Sequence, residues 1–150
     1  MGYIRELRKL VGHRPLIFVG SVVMILNEKG QVLLQQRRFP KGKWGLPGGL
    51  MELGESTEDV ARREVMEETG LHVENLQLLQ VYSGPNHFIK AENGDEFYVV
   101  TVAYHTNDFS GNLIVDETES IQFKFFDLTN LPSFLVGTHQ MMLEDYIKSR

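Results

Sequence analysis

The chain contains no cysteine. Disulfides, thiolate zinc sites and cysteine nucleophiles are therefore excluded, and a reducing cytoplasm is the expected location. Long apolar runs are also missing. No stretch approaches the roughly 18 apolar residues of a membrane-spanning helix, and the start, MGYIRELRKLVGHRP, lacks the apolar core of a secretion signal. No membrane partner is expected. Positive charge is in deficit, with Lys+Arg 15 against Asp+Glu 20 and a net charge of -5. That balance argues against a broad, sequence-blind grip on nucleic acid, which needs many cations facing phosphates. It leaves room for a small anionic substrate if metal ions screen the site. Repeats, low-complexity tracts and linkers are absent. With 150 residues, 42% of them hydrophobic and 23% charged, the composition is that of one globular domain over residues 1–150.

Within that domain, Ile4, Leu7, Leu10 and Val11 fall at helical spacing, and Gly12 and Pro15 end the pattern. A short amphipathic helix is expected there. Leu16 to Leu26 is apolar and rich in β-branched residues, Asn27 to Gly30 is turn-forming, and Gln31 to Gln36 follows, a pattern that predicts a hairpin. Arg37 to Gly54 holds five glycines and two prolines, a density that predicts a shaped loop without regular structure. Ser56, followed by Glu58 and Asp59, marks a helix start, and Gly70 marks its end, giving a helix over Thr57–Thr69. Strands are predicted at Val73–Ser83, Phe97–His105 and Ile121–Asp127, with a closing helix over Phe134–Ile147. This order suits an α/β fold, a mixed sheet covered by helices on both faces.

The chemically informative stretch is Gly49 to Leu71, GLMELGESTEDVARREVMEETGL. Glu52, Glu55, Glu58, Asp59, Glu64, Glu67 and Glu68 place seven carboxylates within 17 positions, offset by only Arg62 and Arg63. Glu64, Glu67 and Glu68 stand at i, i+3 and i+4, so a helix projects all three from one face, where like charges repel. Something positive is expected among them. Magnesium or manganese fits, because hard cations take carboxylate oxygens and magnesium keeps waters that can be shared with substrate phosphates. The bland alternative is a solvated acidic helix face.

The spacing decides against that alternative. Gly49, Glu55, Arg63, Glu64, Val65, Glu67, Glu68, Gly70 and Leu71 resemble the Nudix box, GX5EX7REUXEEXGU with U aliphatic, at every defined position. The resemblance implies an α/β/α sandwich and metal-dependent hydrolysis of a diphosphate bond in a nucleoside diphosphate linked to another moiety. It also implies that Glu64, Glu67 and Glu68 bind Mg2+ or Mn2+ and activate water, with Glu64 a candidate for the base. By the same resemblance Arg63 orients a glutamate, Gly48 supplies a backbone carbonyl to the metal, and one further carboxylate comes from outside the box, Glu119 or Glu117 in DETES. Glu55 matches the box as a structural or supporting partner. Many relatives form homodimers, so a homodimer is expected.

Other residues fall outside the box. Arg37, Arg38, Lys41 and Lys43 are four cations in seven positions, and Arg37 and Arg38 are candidates for substrate phosphate. Trp44 is a candidate stacking platform for a base, although a packing anchor is the favoured reading. His87 lacks a spaced partner and is not read as catalytic; Phe88 and Tyr98 are a possible aromatic wall. The box does not choose among substrates. Pro85 lies 14 positions after Leu71, close to a proline carried by some ADP-ribose hydrolases though not clearly matching it, which inclines the reading to ADP-ribose or nucleotide sugars. The alternatives are nucleoside triphosphates, including oxidised ones, or a nucleotide-sensing module without catalysis. An EF-hand is excluded because its loop spacing is absent.

Overall fold

The computed structural model describes residues 2–150. Its elements run α1 (Gly2–Val11), β1 (Leu16–Ile25), β2 (Val32–Arg37), β3 (Trp44–Gly45), β4 (Gly48–Leu50), α2 (Thr57–Thr69), β5 (Leu71–Glu74) and β6 (Gln77–Tyr82), then a 3-10 turn at Pro85–His87. There follow β7 (Phe88–Lys90), β8 (Glu96–Thr106), β9 (Asp108–Gly111), β10 (Ser120–Phe126) and α3 (Gly137–Ser149). No helix among the described residues is long and apolar enough to cross a membrane.

β1 is the axis of the architecture. It pairs in parallel with β8 along its whole length and antiparallel with β4, in a sheet ordered β4-β1-β8-β6 with β7 also on β8. The sheet is therefore mixed. Successive strand residues face opposite sides, and here both sides are covered. Val22 and Met24 join a core with Met142 and Leu143 of α3, whereas Val23 and Ile25 join a second core with Ala61 and Val65 of α2. A helix on each face explains why this segment is apolar without alternation. Full burial of each such side chain contributes about 1.5–3 kcal/mol.

Four local expectations are corrected. β1 and β2 do not form a hairpin ladder, because both edges of β1 are taken. Beyond a single bridge, Leu26 to Val32, β2 belongs to a second sheet ordered β10-β2-β3. The glycine-rich stretch is not wholly irregular, since β3 and β4 lie within it. Glycine is what lets β4 pair: a Cβ on Gly20 would lie 2.6 Å from the Gly49 carbonyl oxygen, and one on Gly48 only 2.1 Å from that of Ser21. The strand expected over Val73–Ser83 is two strands in different sheets, divided at Asn75, whose φ of 52° turns the chain. α3 begins at Gly137 instead of Phe134, because the preceding residues are held to β3 by Trp44 N–H donating to the Phe134 carbonyl.

Candidate active site

α2 is fixed at both ends. Ser56 Oγ accepts the Asp59 N–H and Asp59 Oδ2 accepts the Ser56 N–H, both at 3.0 Å, a reciprocal cap. Gly70 closes the helix at φ 78°. Val60, Ala61, Val65 and Thr69 form its buried face. Glu64 and Glu68, one turn apart, stand at the border of that face against β4.

There the absence of side chains at Gly48 and Gly49 of β4 makes the site. A Cβ on Gly49 would stand 2.3 Å from the Glu64 carboxyl carbon. Gly48 N–H donates to Glu68 Oε1 at 2.9 Å. The carboxylates thus rest on bare backbone. Arg63 ties the group together. Its Nε and Nη2 make a two-pronged contact with Glu55 at 2.6 and 2.9 Å, its Nη1 reaches Glu64 Oε1 at 2.8 Å and Glu67 Oε1 at 3.1 Å, and Nη2 also donates to the Leu50 carbonyl. Such forked contacts fix direction as well as charge. Glu55 also accepts the Glu52 N–H at 2.8 Å, so it joins the loop to the arginine.

The electrostatics divide the acids. The Arg63 guanidinium, bonded to Glu55, holds that carboxyl below its ordinary range. Glu64 is pushed up, first by burial and then by Glu67 and Glu119, with Arg63 opposing. Glu68 is pushed up to about 8, chiefly by burial, with Glu64 and Glu119 adding and the Gly48 N–H opposing. Burial is thus the main reason that Glu64 and Glu68 hold their protons more tightly than a solvated carboxyl does.

A cleft of about 390 Å³ opens beside them, lined in part by Gly48, Gly49, Glu68, Glu119, Arg37 and His139. Its size lies within the range of small-ligand sites. Glu119 therefore shares the cleft with Glu68, whereas Glu117 meets Arg38 through its backbone carbonyl. Arg37 lines the cleft half-buried, and no carboxylate among the described residues lies within salt-bridge distance of it. Burial lowers its affinity for its proton and Glu68 opposes that effect.

Three expected site residues are placed differently. Glu67 does not share the border with Glu64 and Glu68; its side chain is 58% exposed and turned to Arg63. One helical step beyond the packed face accounts for this. Arg38 is exposed and does not line the cleft, its guanidinium being held by the Glu117 backbone. Trp44 is 8% exposed and packs edge-on against Phe126 with centroids 4.8 Å apart, inside the core and away from the cleft lining. A buried indole cannot stack on a ligand, so the stacking expectation fails on geometry. Among the described residues no three His, Asp or Glu side chains converge as a ready-made metal shell, because Arg63 and Gly48 N–H occupy oxygens of Glu64, Glu67 and Glu68. The donors nevertheless suit a hard cation: carboxylate oxygens of Glu64 and Glu68 beside a backbone left bare by glycine.

Sequence reasoning missed His139, Gln35 and Thr101, which line the cleft and are buried. The one sequence cue was a glutamine within the buried run Val32–Gln35. His139 lies on α3 with Nδ1 accepting the Leu46 N–H at 2.9 Å. Burial, aided by Arg37, pushes its ring down to about 3.

With this geometry in place, comparison with known proteins is decisive at the level of family. The NUDIX domain profile matches residues 17–146; the chain belongs to the Nudix hydrolase family and is by that membership an enzyme class acting on phosphorus anhydrides. It is 32% identical over 126 residues to an ADP-ribose pyrophosphatase of Methanocaldococcus jannaschii, covering 83% of this chain and 70% of that protein. A Bacillus subtilis relative assigned as an 8-oxo-dGTP diphosphatase is 31% identical over 127 residues, covering 85% of this chain and 78% of its own. The crystal structure of a MutT NUDIX hydrolase from Burkholderia pseudomallei superposes with a TM-score of 0.74 at 32% identity, covering 86% of this chain and 97% of that one.

The raised Glu68 makes a pH prediction for chelated protein. The folded chain holds this proton more tightly than the unfolded chain, whose ordinary value is 4.5. The stabilising contribution is thus complete below about 4.5 and is lost as pH rises through about 8. Denaturant titrations should show wild-type stability declining across that window, with Glu64 acting in the same direction, and a shallower decline for Glu68→Gln. Equal slopes for both proteins contradict the assignment.

Proposed function

We propose that residues 1–150 form one catalytic domain that hydrolyses a diphosphate bond in a nucleoside diphosphate linked to a second moiety, with ADP-ribose or nucleotide sugars as the substrate class and the cytoplasm as its location. The observation that carries this reading is the pair of half-buried carboxylates Glu64 and Glu68 against Gly48–Gly49, beside a cleft that Glu68 lines together with the exposed Glu119 and with Arg37. The Methanocaldococcus jannaschii relative supports the ADP-ribose assignment and the Bacillus subtilis relative supports oxidised nucleoside triphosphates as the alternative.

Glu64, Glu67, Glu68, Glu119 and the Gly48 carbonyl would hold Mg2+ or Mn2+. When bound, such an ion neutralises phosphate oxygens and lowers the pKa of a water bound to it. The chain's own residues supply the rest. Arg63 keeps Glu64 Oε1 engaged, leaving Oε2 without a partner among the described residues and free to take a proton from water. Arg37 offers a guanidinium to a phosphate oxygen. The caps at both ends of α2 and its packed face hold Arg63, Glu64 and Glu68 in fixed relation to β4.

A homodimer is the reading for association. On the α2 side of the sheet, Ile17, Tyr98 and Phe88 are direct cross-strand neighbours on β1, β8 and β7, exposed by 74%, 40% and 41%. Contiguous apolar rows of this kind mark contact surfaces. Sedimentation equilibrium at micromolar concentration should give a dimer that Ile17→Lys dissociates; a wild-type monomer overturns it.

The functional test is product release from ADP-ribose, nucleotide sugars, dinucleoside polyphosphates and nucleoside triphosphates, each with magnesium, manganese or chelator. Metal-dependent cleavage of ADP-ribose is expected. Glu67→Gln and Glu68→Gln should each lower turnover by roughly 100-fold or more, the scale of removing one charge-stabilising group, while the fold persists. No cleavage of any substrate, together with tight nucleotide binding, would replace the hydrolase with a sensor.

A further inference from the structure

His139 is used twice by this fold, and only one use is structural. Its Nδ1 accepts the Leu46 N–H at 2.9 Å. That bond fixes the proton of the neutral ring on Nε2, which becomes a donor. Nε2 has no acceptor among the described residues, although the residue is 8% exposed and lines the cleft. This nitrogen is not among the buried unpartnered atoms, so its N–H opens onto the cleft, where a ligand can supply the acceptor.

The surroundings define what that acceptor is. A Cβ on Gly45 would stand 3.0 Å from His139 Nδ1 and 3.1 Å from both Nε and Nη2 of Arg37, so the imidazole and the guanidinium share one bare floor. Arg37 lies on the Glu68 side, as the charge between them shows, and suits a phosphate. Gln35 lies directly opposite Gly45 in the β2–β3 pairing. Its Nε2 donates to Ser120 Oγ at 2.5 Å, which leaves its carboxamide oxygen as a free acceptor. Phe39 and Phe97 supply apolar walls to the same cleft. One neutral donor, one neutral acceptor and aromatic walls match the hydrogen-bonding edge and face of a nucleobase.

We propose that His139 is a specificity-determining residue of this cleft, its Nε2–H donating to an acceptor on the substrate's nucleobase while the Gln35 carboxamide oxygen accepts from a donor on the same edge. This rests on the nucleotide-hydrolase reading and adds to it the residues that select a base. Gly45 is part of the device: its backbone takes no positive φ, so Gly45→Ala is conformationally permitted and acts by pressing on His139 and Arg37.

Two variants separate the structural nitrogen from the ligand nitrogen. In His139→Asn the side-chain oxygen sits near the Nδ1 position and keeps the Leu46 bond, but nothing replaces Nε2–H. In His139→Gln the amide nitrogen reaches the Nε2 position and the Leu46 bond is lost. With ADP-ribose, His139→Asn should melt close to wild type and raise KM about three- to tenfold with kcat little changed, the effect of one neutral hydrogen bond. His139→Gln should melt lower and keep a KM nearer wild type. Calorimetry with AMP and with ribose 5-phosphate gives a readout that does not need turnover. Wild type should bind AMP more tightly, and His139→Asn should lose most of that preference. If His139→Asn binds AMP as wild type does, or if wild type does not distinguish AMP from ribose 5-phosphate, the proposal is overturned even where hydrolysis is intact. Absence of turnover in wild type would instead count against the hydrolase reading alone.

Discussion

Everything in the candidate site depends on carboxylates being pressed against a strand whose first two residues, Gly48 and Gly49, have no side chains. Gly49 lets Glu64 approach the backbone to a distance no Cβ would permit, and the Gly48 N–H takes Glu68 Oε1. The same bareness lets β4 pair with β1, the strand on which both cores are built. One feature therefore serves folding and chemistry together. The cost is electrostatic: burial and mutual repulsion push Glu64 and Glu68 towards their neutral forms. Arg63 offsets part of it, but its contacts go to Glu55, Glu64 and Glu67 and not to Glu68. Glu68 is left with a backbone N–H and a more distant Arg37. A divalent cation is the natural remaining partner for that charge.

The legibility of the molecule in its sequence follows from the range of the interactions concerned. Local rules placed α2 correctly from Thr57 to Thr69, since the Ser56–Asp59 cap and Gly70 lie within the segment itself. The spacing of the box puts Arg63, Glu64 and Glu68 on that same helix for the same reason. Errors arose wherever a distant partner decided the outcome. The hairpin expected of β1 and β2 fails because β8, some 80 positions on, occupies the other edge of β1. For Trp44 the sequence favours a packing anchor over a stacking platform, but the partners that bury it, Phe126 and Leu135, lie far along the chain and are not legible from its own segment.

His139 and Gln35 show the same limit in the site. Neither belongs to a motif, and they meet only because β3 pairs with β2 and carries Gly45 beneath the end of α3. The division of labour is physical: the box fixes where charge accumulates, and long-range packing fixes what can lie beside it. Family membership settles the first part. The second part distinguishes a chain related at similar identity to an ADP-ribose pyrophosphatase and to an 8-oxo-dGTP diphosphatase.

The central claim is that Glu68 is held in a buried position whose charge a divalent cation completes. The most direct measurement is the proton release that accompanies metal binding, obtained by titrating Mg2+ or Mn2+ calorimetrically at about pH 7 in buffers of different ionisation enthalpy. With Glu68 pushed up to about 8, a large fraction of a proton should leave per ion bound, falling as pH rises past that value and disappearing in Glu68→Gln. Metal binding without proton release at this pH, or release unchanged in Glu68→Gln, would contradict the account.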